Sequence, residues 1–235
     1  MPYSIDDATA TALVALHPRA ARPGHAQEAP QAAALELIAA EQRRRGQPDA
    51  VTGALHVQAL TQGTLLKEEF DLSTHAHHDG WRVGAVMVDV KEMIHFNARF
   101  GFPAGDALLK ATVASLAAQY PGARIVRFQP DGFAVLLLPT SQLAVREDSA
   151  DTTRARLTED LRSTLPAGAA ATDVPGFTVA LLELTVHQPS HWQVLGPLLW
   201  AEVERAYIME RTGRTHGLQR RHLRLDAFLP EPEGA

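Results

Sequence analysis

His75-Ala76-His77-His78-Asp79 puts three imidazoles and a carboxylate into five consecutive residues, a donor set that would suit a metal ion. Metal-bound imidazoles need a further layer of hydrogen bonds to fix each ring. This polar stretch supplies none, and a solvated loop is the plainer reading. Asp89 closes an apolar run, where a carboxylate is placed to cap a following helix. Gln129-Pro130-Asp131-Gly132 has Pro at its second position and Gly at its fourth, as a type I β-turn favours. Arg220, Arg221, His222 and Arg224 form a basic patch, of the kind that protects an exposed strand edge from pairing. A nucleic-acid surface would also need stacking platforms, and aromatic residues make up only 6% of the chain. With no cysteine, disulfides, thiolate metal sites and cysteine nucleophiles are excluded together.

These residues must be held by elements that the apolar pattern marks out. Val83–Val90 is a Val-rich run short enough for a buried strand. Helical stretches follow at about Glu92–Phe100 and Ala104–Tyr120, the second with Leu109, Val113, Leu116 and Tyr120 on one face. Ala123–Phe128 and Phe133–Leu138 are strand-like and closely joined. A helix at about 150–164, a strand at Phe177–Thr185, a helix within 192–211 and a strand within 217–228 complete the pattern. Upstream, Ala54–Phe70 reads as one amphipathic helix and Thr74–Gly80 as a loop. Strands alternate with helices, but the central pair is joined too tightly for a crossover. The predicted fold is therefore α/β (α+β), a mixed central sheet with an antiparallel hairpin, flanked by helices.

The chain has 235 residues, enough for one ordinary domain with appendages. Residues 1–30 read as a disordered or Pro/Ala-rich linker. Residues 31–48 follow, with a helix over 31–45 that Gly46 and Pro48 terminate. The main domain is placed at 49–228 and a disordered Pro/Glu-rich tail at 229–235. No apolar run approaches the roughly 20 residues of a membrane span. The 22 Lys+Arg against 27 Asp+Glu give a net charge of -5, which offers no general attraction to nucleic acid or anionic membrane. A soluble cytoplasmic protein is the expectation.

Val88-Asp89-Val90-Lys91 is followed by His95-Phe96-Asn97-Ala98-Arg99-Phe100-Gly101, then by Gly105-Asp106, and later by Arg127-Phe128-Gln129-Pro130-Asp131-Gly132-Phe133-Ala134-Val135-Leu136-Leu137. Together these segments resemble the GGDEF domain of diguanylate cyclases, which condense two GTP molecules into cyclic di-GMP. The resemblance runs from about Asp49 to about Thr215. Asp49-Ala50-Val51-Thr52-Gly53 is similar to the family's opening motif, and Tyr207 with Gly213-Arg214 to its closing segment.

The resemblance implies a nucleotide cyclase-like fold and a Mg²⁺–GTP site. In that site Asp89, the Val90 carbonyl and Asp131 match metal ligands, Asp131 being the catalytic acid of an active member. Asn97 and Asp106 match residues that bond the guanine base, and Arg214 matches a phosphate contact. Each also has an ordinary identity: Asn97 as a helix-linking residue, Asp106 as a first-turn acid serving the helix dipole, Arg214 as a surface Arg. The chain departs from the family where Gln129-Pro130-Asp131-Gly132 replaces a Gly-Gly-acid-acid turn. Gln129 adds bulk there and Pro130 has no N–H to offer phosphate. Lys91 replaces an Asp, while Ile94 and Glu210 replace phosphate-contacting lysines. Tyr120-Pro121-Gly122-Ala123 stands where the family's Arg-x-x-Asp product site would be.

The expectation is a degenerate, catalytically inactive GGDEF domain acting as a regulatory module in bacterial cyclic di-GMP signalling. It would bind a partner protein and, as a candidate ligand, guanine nucleotide with Mg²⁺. A homodimer is implied by the analogy; nucleic acid and membrane are not expected partners. The alternatives are a weakly active diguanylate cyclase or GTP hydrolase, and a receptor for cyclic di-GMP by an unfamiliar mode.

Overall fold

A computed structural model of the chain describes residues 48–61, 65, 66, 69, 80–187 and 192–224. The linker expected at 1–30, the helix at 31–45, the His75–Asp79 loop and the tail at 229–235 lie outside the described residues. The elements run β1 (Leu55–His56), α1 (Val57–Thr61), β2 (Trp81–Val90), α2 (Met93–Phe100), α3 (Phe102–Gln119), β3 (Arg124–Gln129), β4 (Gly132–Leu137), α4 (Ser149–Arg162), β5 (Phe177–His187), α5 (Trp192–Arg211) and β6 (Leu218–Arg224).

β2 owes its central place to eight consecutive buried residues, Val83–Val90. The sheet order is β1-β3-β4-β2-β5-β6, with β2 antiparallel to both β4 and β5. Parallel pairs lie only at the margins, β1 with β3 and β5 with β6. This is the mixed sheet with a central hairpin that the sequence predicts.

Alternation along β2 divides its side chains between two cores. Val83, Ala85 and Met87 pack with Leu60, Leu195, Leu199, Val203 and Tyr207, from α1 and α5. Val86, Val88 and Val90 pack with Met93, Phe96, Leu108, Leu116, Leu157 and Leu161, from α2, α3 and α4. Burying each such Leu or Val contributes about 1.5–3 kcal/mol, against about 0–1 kcal/mol for an exposed ion pair. The two cores therefore hold the sheet, and α5 brings its last turn over the end of β2.

The structure corrects the helix read from Ala54. Leu55 and His56 pair in parallel with Val126 and Arg127 as an edge strand, and the helix starts at Val57. The cause is the preceding turn. Asp49 accepts from the Thr52 N–H at 2.8 Å and the Thr52 hydroxyl at 2.7 Å, and its main chain is bonded to Gly53 and Ala54. Arg127 then donates to the same Asp49 carboxylate at 2.6 Å, which pins the turn beside β3. Burial alone would raise the Asp49 carboxyl, but the Thr52 bonds and the Arg127 guanidinium outweigh it and hold the group below its ordinary 3.8.

Candidate functional site

The end of β2 carries Asp89, which is 8% exposed. It stands opposite Gly132 at the start of β4 and Thr178 near the start of β5. By alternation Asp89 continues the row of Val83, Ala85 and Met87, so it faces the α5 side, where Tyr207 lies against it. Beyond Val90 the chain leaves the sheet. The Val90 N–H donates to the Asp131 carbonyl at 3.0 Å and the Lys91 N–H to the Gly176 carbonyl at 2.8 Å. Glu92 then takes a left-handed φ of 59° before α2. These features leave a cavity of about 400 Å³ lined by Asp89, Val90, Lys91, Glu92, Gln129, Asp131, Thr178 and Arg211.

Of the residues the sequence singled out, Asp89, Val90 and Asp131 are brought together on this cavity's wall; Asn97, Asp106 and Arg214 stand off it. Asn97 is pressed against α3, where a Cβ at Gly105 would lie 1.9 Å from its amide oxygen. That oxygen is buried without a hydrogen-bond partner. Asp106 and Arg214 are exposed.

Burial raises the Asp131 carboxyl above its ordinary 3.8, and the nearby Asp89 charge raises it further, with Arg211 and Arg127 opposing. The Tyr207 hydroxyl is pushed up to about 12, first by burial and then by the charge and hydrogen bond of Asp89. It therefore remains a protonated donor toward that carboxylate at neutral pH. Arg211 Nη1 in turn donates to the Tyr207 oxygen at 3.1 Å. Two carboxylates that repel each other, next to a backbone carbonyl, are hard oxygen donors. Mg²⁺ takes such a set when water and substrate phosphates complete its shell. Among the described residues no cluster of three or more His, Cys, Asp or Glu side chains forms, so the fit is to a cation that shares its coordination with a ligand.

The turn at Pro130–Asp131 is tightly tied. Neither residue has a positive φ, as a type I turn requires, and the β3–β4 register shifts between Arg127 and Gln129. Arg127 Nη2 donates to the Pro130 carbonyl. Phe128 folds back over Gly132: a Cβ there would lie 2.9 Å from the Phe128 ring. That ring is held in turn by Trp200 and Tyr207, at centroid distances of 5.6 and 5.3 Å.

Glu210 does not line the cavity. Its carboxylate faces His216 at 3.6 Å and Arg154 at 4.0 Å, with one oxygen buried and unbonded. The acid that stands in place of a lysine at this position is thus turned toward the Arg154 guanidinium and the His216 ring, away from the cavity. Sequence reading missed Arg211 and Thr178. The i, i+4 spacing of Tyr207 and Arg211 was a usable signal for the first. Thr178 depends on β5 register, which no local pattern reveals.

A family model described as "Diguanylate cyclase, GGDEF domain" matches residues 58–173, a span that includes Asp89, Asn97, Asp106 and Asp131. No curated protein matches the chain. Among solved structures, the chain is similar to the GGDEF domain of TpbB (YfiN) from Pseudomonas aeruginosa, with 21% identity, TM-score 0.51, and coverage of 74% of this chain and 93% of that one. That likeness shows a shared fold. Diguanylate cyclase SiaD from Pseudomonas aeruginosa, solved with its activator SiaC, matches at 15% identity and TM-score 0.47, covering 83% of this chain and 68% of that one. The GGDEF domain of DgcB from Caulobacter crescentus, solved with c-di-GMP, matches at 14% identity and TM-score 0.45, covering 74% and 95%.

Proposed function

Because the chain carries a GGDEF domain across residues 58–173, we propose that it is a degenerate member: a Mg²⁺-dependent guanine-nucleotide-binding module that regulates a partner protein and does not cyclise GTP efficiently. The observation that carries this reading is the turn at Gln129–Gly132. Pro130 offers no N–H, its carbonyl is taken by Arg127, and Phe128 fills the space beside Gly132. A backbone cradle for phosphate needs free N–H groups and an unobstructed approach; Pro130 removes one N–H from this turn, and the Phe128 ring crowds it at Gly132.

The acidic residues of the cavity are retained. Asp89, the Val90 carbonyl and Asp131 are the residues that would hold Mg²⁺, whose part would be to neutralise polyphosphate charge. Tyr207 keeps its proton and orients the Asp89 carboxylate. Asn97 presents a buried, unpartnered amide oxygen that a guanine N–H would satisfy, and Asp106 and Arg214 are its proposed companions on the nucleotide. Losing one preorganised electrostatic contact typically costs about 10²–10³ in rate, so a site without its phosphate cradle binds more readily than it turns over. The survival of the Asp89–Asp131 pair favours a second reading, slow diguanylate cyclase activity or GTP hydrolysis.

Calorimetric titration with a non-hydrolysable GTP analogue, with and without Mg²⁺, tests the proposal. Mg²⁺-dependent binding that disappears in Asp89→Ala, without cyclic di-GMP formation from GTP, is the expected result. Formation of cyclic di-GMP at rates typical of enzymes would move the conclusion to the second reading. No binding at millimolar nucleotide would sink both and leave a scaffold acting through its surface.

A further inference from the structure

We propose that Arg211, and not residue 210, is the side chain that recognises the polyphosphate end of a nucleotide in this cavity; the inference rests on the nucleotide-binding reading above. Consecutive helical residues point about 100° apart, whereas residues four apart share a face. Tyr207 is 2% exposed and faces the sheet against Asp89. Arg211, one turn further on, therefore continues that stripe past the end of β2 and reaches the cavity wall. Glu210 lies a step round the helix and is engaged with His216 and Arg154.

The Arg211 guanidinium is steadied but not consumed. One N–H group bonds the Tyr207 oxygen at 3.1 Å, and the guanidinium carbon sits 5.8 Å from that ring's centroid. Among the described residues it has no carboxylate at ion-pair distance, although Asp89 and Asp131 share its cavity. A planar fork with unclaimed donors, held on an aromatic ring at the rim of a polar cavity, suits phosphate oxygens in pairs. Lys91 lines the same cavity and adds a second positive charge. Phosphate bound by these cations would enter the cavity that Asp89 and Asp131 also line, without needing an N–H from Pro130.

Binding of the full-length chain to a non-hydrolysable GTP analogue and to inorganic tripolyphosphate, each with Mg²⁺, tests the assignment in the wild type and in Arg211→Ala, Arg211→Lys and Glu210→Ala. Arg211→Ala should weaken both ligands about ten- to a hundredfold, the usual effect of losing a charge-assisted pair. Arg211→Lys should recover part of the loss, Glu210→Ala should leave both affinities within about twofold of wild type, and the melting midpoint of Arg211→Ala should stay near wild type. Wild-type binding that Arg211→Ala leaves unchanged would overturn this assignment alone. Failure of the wild type to bind either probe would overturn it together with the nucleotide-binding reading. A loss in Arg211→Ala that Lys does not relieve, accompanied by a lowered melting midpoint, would make the residue structural and overturn the assignment.

Discussion

Asp131 and Asp49 lie near the same hairpin but respond to pH in opposite senses. Asp131 has its carboxyl raised by burial and by Asp89. The folded state therefore holds that proton more tightly than the unfolded chain, and the stability it contributes is present below pH 3.8 and lost as pH rises through the higher folded value. Asp131→Asn should accordingly raise the thermal midpoint at pH 7 and lose that advantage as pH falls to 3.8 and below, while abolishing any Mg²⁺ response. Asp49 has its carboxyl lowered, so its contribution is present above pH 3.8 and disappears as pH falls through the lower folded value. Asp49→Asn should cost stability at pH 7, most simply read as a lower melting midpoint. Gly132 gives a third test. A Glu at this position, the plain repair of the missing acid, meets the Phe128 ring and should cost about 1–3 kcal/mol as an overpacked site does. The double variant with Phe128→Ala should cost less than the sum of the two, so strict additivity in urea melts would show that the ring is not the obstacle.

At the scale of elements, α5 sits against α1 only because residue 196 has no side chain. A Cβ there would come within 2.4 Å of the Leu60 carbonyl and 3.1 Å of the Thr61 carbonyl. Both are backbone atoms that cannot swing aside. Gly196→Leu should therefore lift α5 from the sheet and destabilise the domain by about 1–3 kcal/mol. It should also weaken ligand binding, because α5 carries Tyr207 and Arg211 to the cavity. Unchanged urea midpoint and unchanged nucleotide affinity would show that the contact is not what positions the helix. Elements of this kind were legible from apolar spacing: β2, α2, α3, the β3–β4 hairpin, α4, β5 and α5 all fall where the sequence predicts them, within a few residues. β1 was not legible. Two residues carry no period, and their strand state comes from pairing with Val126 and Arg127 next to the Asp49 turn.

For the molecule as a whole, a ligand that binds only the folded state should stabilise it by mass action. At about a hundred times its Kd, nucleotide with Mg²⁺ would add about 2.7 kcal/mol, a rise in Tm of about 5–10 °C for a domain of this size; chelation of Mg²⁺ should reverse it. No shift at millimolar nucleotide would contradict the proposed site. By itself the sequence determined the order of the main elements, the two-sided burial of β2 and the tight central hairpin, because apolar period and turn chemistry are local properties of the chain; the likeness to a GGDEF domain was carried separately, by the motif residues around Asp89, Asn97, Asp106 and Asp131. Asp89 and Asp131 were also readable as candidates, one at the end of an apolar run and one in a turn. Only the tertiary structure decided which charges face the cavity. Residues 210 and 211 are neighbours in sequence, yet about 100° of helical rotation sends Glu210 to His216 and Arg154 and Arg211 to the cavity at the end of β2. The spacing of Leu195, Leu199, Val203 and Tyr207 marks the buried side of α5 in the sequence, but that this side runs on past the end of β2, beside Asp89 and Asp131, is set by the sheet's register and carries no local signal.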